Sequence, residues 1–156
     1  MTETHAELDR VPPHFHGAIE KVERFMERGL WSQAHDILTE VVGVLDGLRI
    51  ESAYLHWLAC VVHDSMGHVS EAIEHIVRAR RFDPVFPRAI ASERIVMDRV
   101  AALIDIAGLG DPHVLTVLAI VRRLYPTGHP ALQAIDDVLA RKTAVVAEPP
   151  SERAQA

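Results

Sequence analysis

Lysine is nearly missing from this chain. Only Lys21 and Lys142 occur among 156 residues, and with 22 Asp and Glu against 16 Lys and Arg the formal net charge is -6. Neutralising a phosphate backbone needs a basic footprint that this balance does not supply, so no nucleic-acid partner is expected. A single cysteine, Cys60, excludes an internal disulfide. Aromatic residues make up only 5% of the chain, which leaves the core to Leu, Ile, Val and Ala and favours helices. No run of about 18 apolar residues occurs, so membrane insertion is not expected. The N-terminus also lacks the basic, apolar and small-residue succession of a signal peptide. Together these absences point to a cytoplasmic protein. There is no Gly-rich phosphate loop and no Gly-x-Ser-x-Gly elbow. No cofactor is implied, and no catalytic activity is expected.

What is present is a series of apolar-periodic blocks, punctuated by Gly and Pro and too long for strands. They predict an all-α protein of seven helices and no strand. The first starts near Pro12-Pro13, runs through Ile19, Val22 and Met26, and stops at Gly29. The second begins near Ser32, carries Ile37, Leu38, Val41, Val42 and Leu45 at spacings of three and four, and ends at Gly47. The third spans Glu51 to Met66 before Gly67, and the fourth spans Ser70 to Phe82 before Asp83-Pro84. A fifth runs from Pro87 to Ala107. Asp111 is placed to cap a sixth that opens with Pro112, and a seventh follows the turn "PTGHP", with Leu132, Ile135, Val138 and Leu139 on one face. Residues 1–10 read as a flexible N-terminus and 147–156 as a disordered tail, because neither offers enough apolar surface to offset its ordering entropy. The intervening 11–146 reads as one domain.

Two segments repeat. "RGLWSQAHDILTEVV" and "MGHVSEAIEHIVRAR" align without gaps, pairing Gly29 with Gly67, Ala34 with Ala72 and Leu38 with Ile76. In each, Gly precedes Ala by five residues. The physical reading is that Gly turns the chain between antiparallel helices and the small Ala lets the second helix approach the first. This spacing, with Ala79 two turns further on and Pro84 closing the helix, resembles the tetratricopeptide repeat, a family of stacked helical hairpins. The likeness covers residues 15–46 and 53–84. It departs from the family in the 38-residue offset between copies (Gly29 to Gly67), about one helical turn longer than the usual 34. Residues 87–146 lack the Gly-to-Ala spacing and read as a helical cap over the exposed end of the stack.

The resemblance implies a groove lined by the first helix of each hairpin, binding an extended peptide or a partner helix. Tyr54, Trp57, Val61 and Asp64 share one face of the third helix, and His16, Ile19, Glu23 and Met26 would line the first. Trp57 is the expected anchor, since Trp supplies large contact area with few rotors. The surface is apolar and acidic, unlike the Lys- and Asn-rich clamp with which some members of that family hold a C-terminal carboxylate. The expected role is therefore a non-catalytic adaptor or accessory subunit for a protein or peptide partner. The chain's own C-terminal helices, or a second copy forming a homo-oligomer, are the other occupants to weigh.

Ten histidines stand out. His56, Cys60 and His63 lie on one face of the third helix, where two imidazoles and a thiolate could suit zinc or copper, although one helix seldom gives three ligands to one ion. His68, His75, His113 and His129 read as scattered surface residues. The string "LACVVHDSMGH" also resembles the HD-domain metal-dependent phosphohydrolases through its His63-Asp64 doublet. That resemblance, the alternative function, implies a metal held by His35, His63, Asp64 and one of Asp98 or Asp105. Arg78, Arg80 and Arg81 close the fourth helix, where cations favour the negative end of the dipole, so a solvated helix end is expected there.

Overall fold

The computed structural model describes residue 8 and residues 10–147. The expected flexible segments fall largely on residues 1–7, 9 and 148–156, which lie outside the described residues. All seven expected helices are present, with no strand among the described residues. They are α1 (His16–Glu27), α2 (Trp31–Gly47), α3 (Ala53–Ser65), α4 (Val69–Phe82), α5 (Pro87–Ala107), α6 (Pro112–Leu124) and α7 (Gln133–Ala147), with short 3-10 turns at Pro13–Phe15 and Pro130–Leu132. The chain divides into two compact units, and the boundary falls inside α5, between Val96 and Met97.

In the first unit, α1 pairs with α2 and α3 with α4, and α2 also packs on α3. Both turns within these pairs are built by the same device. After α1, Gly29 takes φ +69°, its N–H bonds Met26 O, and the Leu30 N–H reaches back to Phe25 O at 2.8 Å. After α3, Gly67 takes φ +78°, its N–H bonds Asp64 O, and the His68 N–H reaches His63 O at 2.8 Å. These are left-handed caps that satisfy the last carbonyls of each helix and reverse the chain. The turn between α2 and α3 uses the same bonds, Arg49 N–H to Asp46 O and Ile50 N–H to Leu45 O. Here the left-handed residue is Arg49, at φ +57°, rather than a glycine. Gly47 ends α2 as expected but is not the residue that turns the chain.

The Ala positions of the repeat are where the helices close. Ala34, Ala72 and Ala79 are all completely buried, with Leu38, Val41 and Leu45 of α2 and Ile73, Ile76 and Val77 of α4 filling the space around them. Charged links add register between elements. Arg78 of α4 donates to both oxygens of Asp46, at 2.7 and 3.2 Å, and to Glu51 at 3.1 Å. Arg80 donates to buried Glu93 of α5 at 3.3 Å and to the Pro84 carbonyl. Two arginines of the expected solvated helix end therefore tie neighbouring elements together.

The second unit takes the remainder of α5 with α6 and α7. Asp111 caps α6, accepting from the N–H groups of His113 and Val114 at 2.9 and 3.1 Å. Its core is aliphatic, including Val100, Ile104, Val117, Leu118, Val121, Ile135 and Val138. Lys142 of α7 donates to the Asp105 carbonyl at 2.9 Å.

Two stability outcomes follow from these contacts. Ala72→Arg overpacks a site with no free volume and should cost on the order of 3 kcal/mol or more in urea unfolding; unchanged stability would contradict the close approach. Arg49→Gly removes a left-handed penalty of roughly 1–2 kcal/mol, offset in part by about 0.5–1 kcal/mol of glycine entropy, and the net gain should raise the melting temperature by about 1–3 °C. A lowered midpoint would count against that cap.

Candidate functional site

Two sets of side chains in the first unit concentrate chemistry, and both are organised by α3. The first is an aromatic face. Trp57 is half-buried and fixed in orientation: its Nε1–H donates to Ser92 Oγ at 2.9 Å, and Phe86 meets its ring edge-on at 6.0 Å. Tyr54 lies 5.6 Å away, and the Arg88 guanidinium stands 5.2 Å over the indole. Glu23 of α1 hydrogen-bonds Tyr54, and its proton affinity is raised by burial, with Glu20 and Glu27 adding to that rise. These contacts run from α1 across α3 to α5.

Among the residues expected to line a groove, His16, Glu23, Met26, Trp57, Val61 and Asp64 are half-buried and present part of their surface. Ile19, 0% exposed, and Tyr54, 3% exposed, are turned inward and support that surface from beneath. His16 is fixed by a 3.1 Å hydrogen bond between Nε2 and the Val11 carbonyl.

The second set is a run of five imidazoles from three helices and a cap. His56 and His75 approach Nδ1 to Nδ1 at 3.0 Å, and His75 stacks on His63 with centroids 5.3 Å apart and planes 10° apart. His63 in turn meets His35 of α2 at 5.0 Å, and its Nδ1 lies 3.2 Å from Nδ1 of His68. His68 and His75, expected to be scattered on the surface, are thus brought to His63. The left-handed turn at Gly67 folds His68 back over His63, and the pairing of α4 with α3 delivers His75. A single-helix pattern carries no signal for such convergence. Next to these rings lies a cavity of about 290 Å³, lined by residues that include His35, Thr39, Gly43, Asp46, Val62, His63 and His75.

Burial governs the charge of this cluster. It pushes the His56 proton affinity down to about 4, with Arg78 acting in the same direction and Asp46 against it. His75 falls to about 3 through burial, His56, His63 and Arg78, again opposed by Asp46. His63 is lowered too, by burial and by His35. The Cys60 thiol is pushed up to about 12 by burial and by the negative charges of Asp64 and Glu93, so without a metal it stays protonated at neutral pH.

Among the described residues, one group has ligand atoms that all lie within 4.8 Å of one another: His35, His63 and His68. His56, Cys60 and Asp64 are not in it. Asp98 and Asp105, the further candidates of the phosphohydrolase set, belong to the second unit.

No protein-family model matches the chain, and no curated protein or solved structure shows significant similarity to it. No helix among the described residues is long and apolar enough to cross a membrane.

The histidine pair sets a pH dependence. Folded His56 and His75 resist protonation, while in the unfolded chain both titrate near about 6.5, so the unfolded state binds more protons below that pH. Their contribution is complete above about pH 7 and is lost as pH falls through 6.5 toward 4 for His56 and 3 for His75, on the order of 2 kcal/mol for each ring by pH 5, about 4 kcal/mol for the pair. Groups facing the pair are His63 of α3, Arg78 of α4, Asp46 of α2 and Glu51, whose carboxylate lies 3.6 Å from His56 Nε2. Urea unfolding in EDTA at pH 7 and pH 5 measures the loss. Equal stability for wild type at the two pH values would contradict the uncharged pair.

Proposed function

We propose that this chain is a non-catalytic adaptor or accessory subunit of tetratricopeptide type, working in the cytoplasm and holding a partner peptide along α1 and α3. The observation that carries the reading is Trp57: a large ring, partly open to solvent, whose orientation is fixed by Ser92, Phe86 and Arg88. A rigid aromatic loses little rotamer freedom on binding, which is what an anchor needs. The side-by-side linkage of α1, α3 and α5 through Glu23–Tyr54 and Trp57–Ser92 is in keeping with first helices of successive hairpins lining one surface. The repeated Gly-to-Ala spacing supports the same reading.

Charge defines the partner's chemistry. Glu23 is flanked by Glu20 and Glu27 on α1, and Asp64 lies on the Trp57 face of α3. An extended peptide with an apolar side chain for Trp57 and basic residues for the acidic edge complements this surface. Such binding weakens with salt.

The test is affinity capture from the native source with wild type, Trp57→Ala and Val61→Asp, bound proteins being identified by mass spectrometry. A partner retained by wild type and weakened about 30-fold or more by Trp57→Ala is the expected outcome. Equal capture by all three proteins would overturn the groove, and phosphatase activity abolished by Asp64→Asn would replace the adaptor with an enzyme.

A further inference from the structure

We propose that His35, His63 and His68 form a binding site for a zinc-class transition-metal dication, and that the bound ion cross-links the first helical hairpin to the second. The site goes beyond the groove reading and stands apart from it. His35 comes from α2, His63 from α3 and His68 from the cap that follows α3, so one ion would bridge elements of both repeated units.

One edge of the set matches a tetrahedral site. Two nitrogens on a tetrahedral zinc ion, each about 2.0–2.1 Å from the metal, stand about 3.3 Å apart. Nδ1 of His63 and Nδ1 of His68 are 3.2 Å apart, so this edge already has the required length. The cap fixes it through the backbone bond from His68 N–H to His63 O. The third imidazole completes a set lying within 4.8 Å. His35 and His68 are both half-buried, so each ring keeps part of its surface open beside buried His63.

The surroundings suit a cation. Asp36 lies 3.4 Å from His35 Nδ1, favouring the proton on Nδ1 and the lone pair on Nε2, as the outer carboxylate of a ligating histidine commonly does. Glu71 of α4 adds negative potential at His63, while burial keeps that ring uncharged and free to ligate. The donor set is all imidazole, which suits zinc, copper or nickel and not magnesium or calcium. Zinc is the choice, because three histidines with a fourth position open fit its tetrahedral preference. That position falls to water, or to a small ligand entering from the cavity that His35 and His63 border. His75, stacked on His63, holds that ring in place.

The experiment uses the full chain stripped with EDTA and then dialysed against zinc ion, with bound metal counted and the melting temperature followed. One zinc per chain and a rise in melting temperature are expected, with no rise in magnesium. His68→Ala and His35→Ala should each weaken zinc binding by about 100-fold or more, and Asp36→Asn by about 10-fold. His113→Ala, in the other unit, should leave it unchanged. An unaltered metal-free melting temperature certifies His68→Ala, and His35→Ala carries the test independently. Absence of saturable zinc binding, or full binding in a folded His68→Ala, would overturn the site whatever becomes of the groove.

Discussion

Everything described in the first unit depends on a chain reversal in which one residue takes the left-handed conformation. At Gly29, Arg49 and Gly67 the positive φ lets the chain satisfy the last carbonyls of a helix and start back along it. Only then can α2 and α4 lay their small residues against their partners, and Ala34 and Ala72 disappear from solvent. Larger side chains there would hold the helices apart. The turn and the small contact residue are one device, and its repetition gives the half-chain its architecture. The same cap at Gly67 also fixes where His68 sits, so a backbone requirement determines the spacing of two imidazoles.

Helix α3 serves both sets of side chains because its positions divide by helical period. Tyr54, Trp57, Val61 and Asp64 fall on one side, and His56 and His63 on another. The aromatic side is tied to α1 and α5 by side-chain hydrogen bonds, ring contacts and the Arg88 cation over Trp57. The histidine side is packed among α2, α4 and the cap, where burial keeps the imidazoles uncharged. Arg78 borders the second set, holding Asp46 and Glu51 in place while its own positive charge discourages protonation of His56 and His75. One helix thus separates a half-open aromatic surface from a buried histidine cluster.

The helices were legible because each boundary carries its own chemistry: Gly67 at a left-handed cap, Asp111 and Pro112 at an N-terminus, Asp83-Pro84 at a stop. Arg49 was not, since nothing in its side chain announces a left-handed residue; the conformation there is held by the cap's own backbone bonds, Arg49 N–H to Asp46 O and Ile50 N–H to Leu45 O. Periodicity placed Ile19 and Tyr54 on the correct faces but could not say how deep those faces lie, and both are buried. The histidine cluster escaped for a related reason. Spacing along α3 suggested His56, Cys60 and His63, yet ligand groups assemble across helices, and His35, His68 and His75 reach His63 only through the hairpin turns. The division inside α5 has no sequence mark either, because a continuous apolar stripe runs through it.

The most direct measurement contrasts two glycines in urea unfolding. Gly67→Ala places a side chain at φ +78°, and Gly43→Ala places one in the body of α2, where a new methyl group meets nothing within 4 Å. The account predicts opposite signs: Gly67→Ala loses roughly 1–2 kcal/mol, and Gly43→Ala gains about 0.5–1 kcal/mol. Stability unchanged or increased by Gly67→Ala would mean that the left-handed cap does not hold the hairpin, and the architecture built on it would fall.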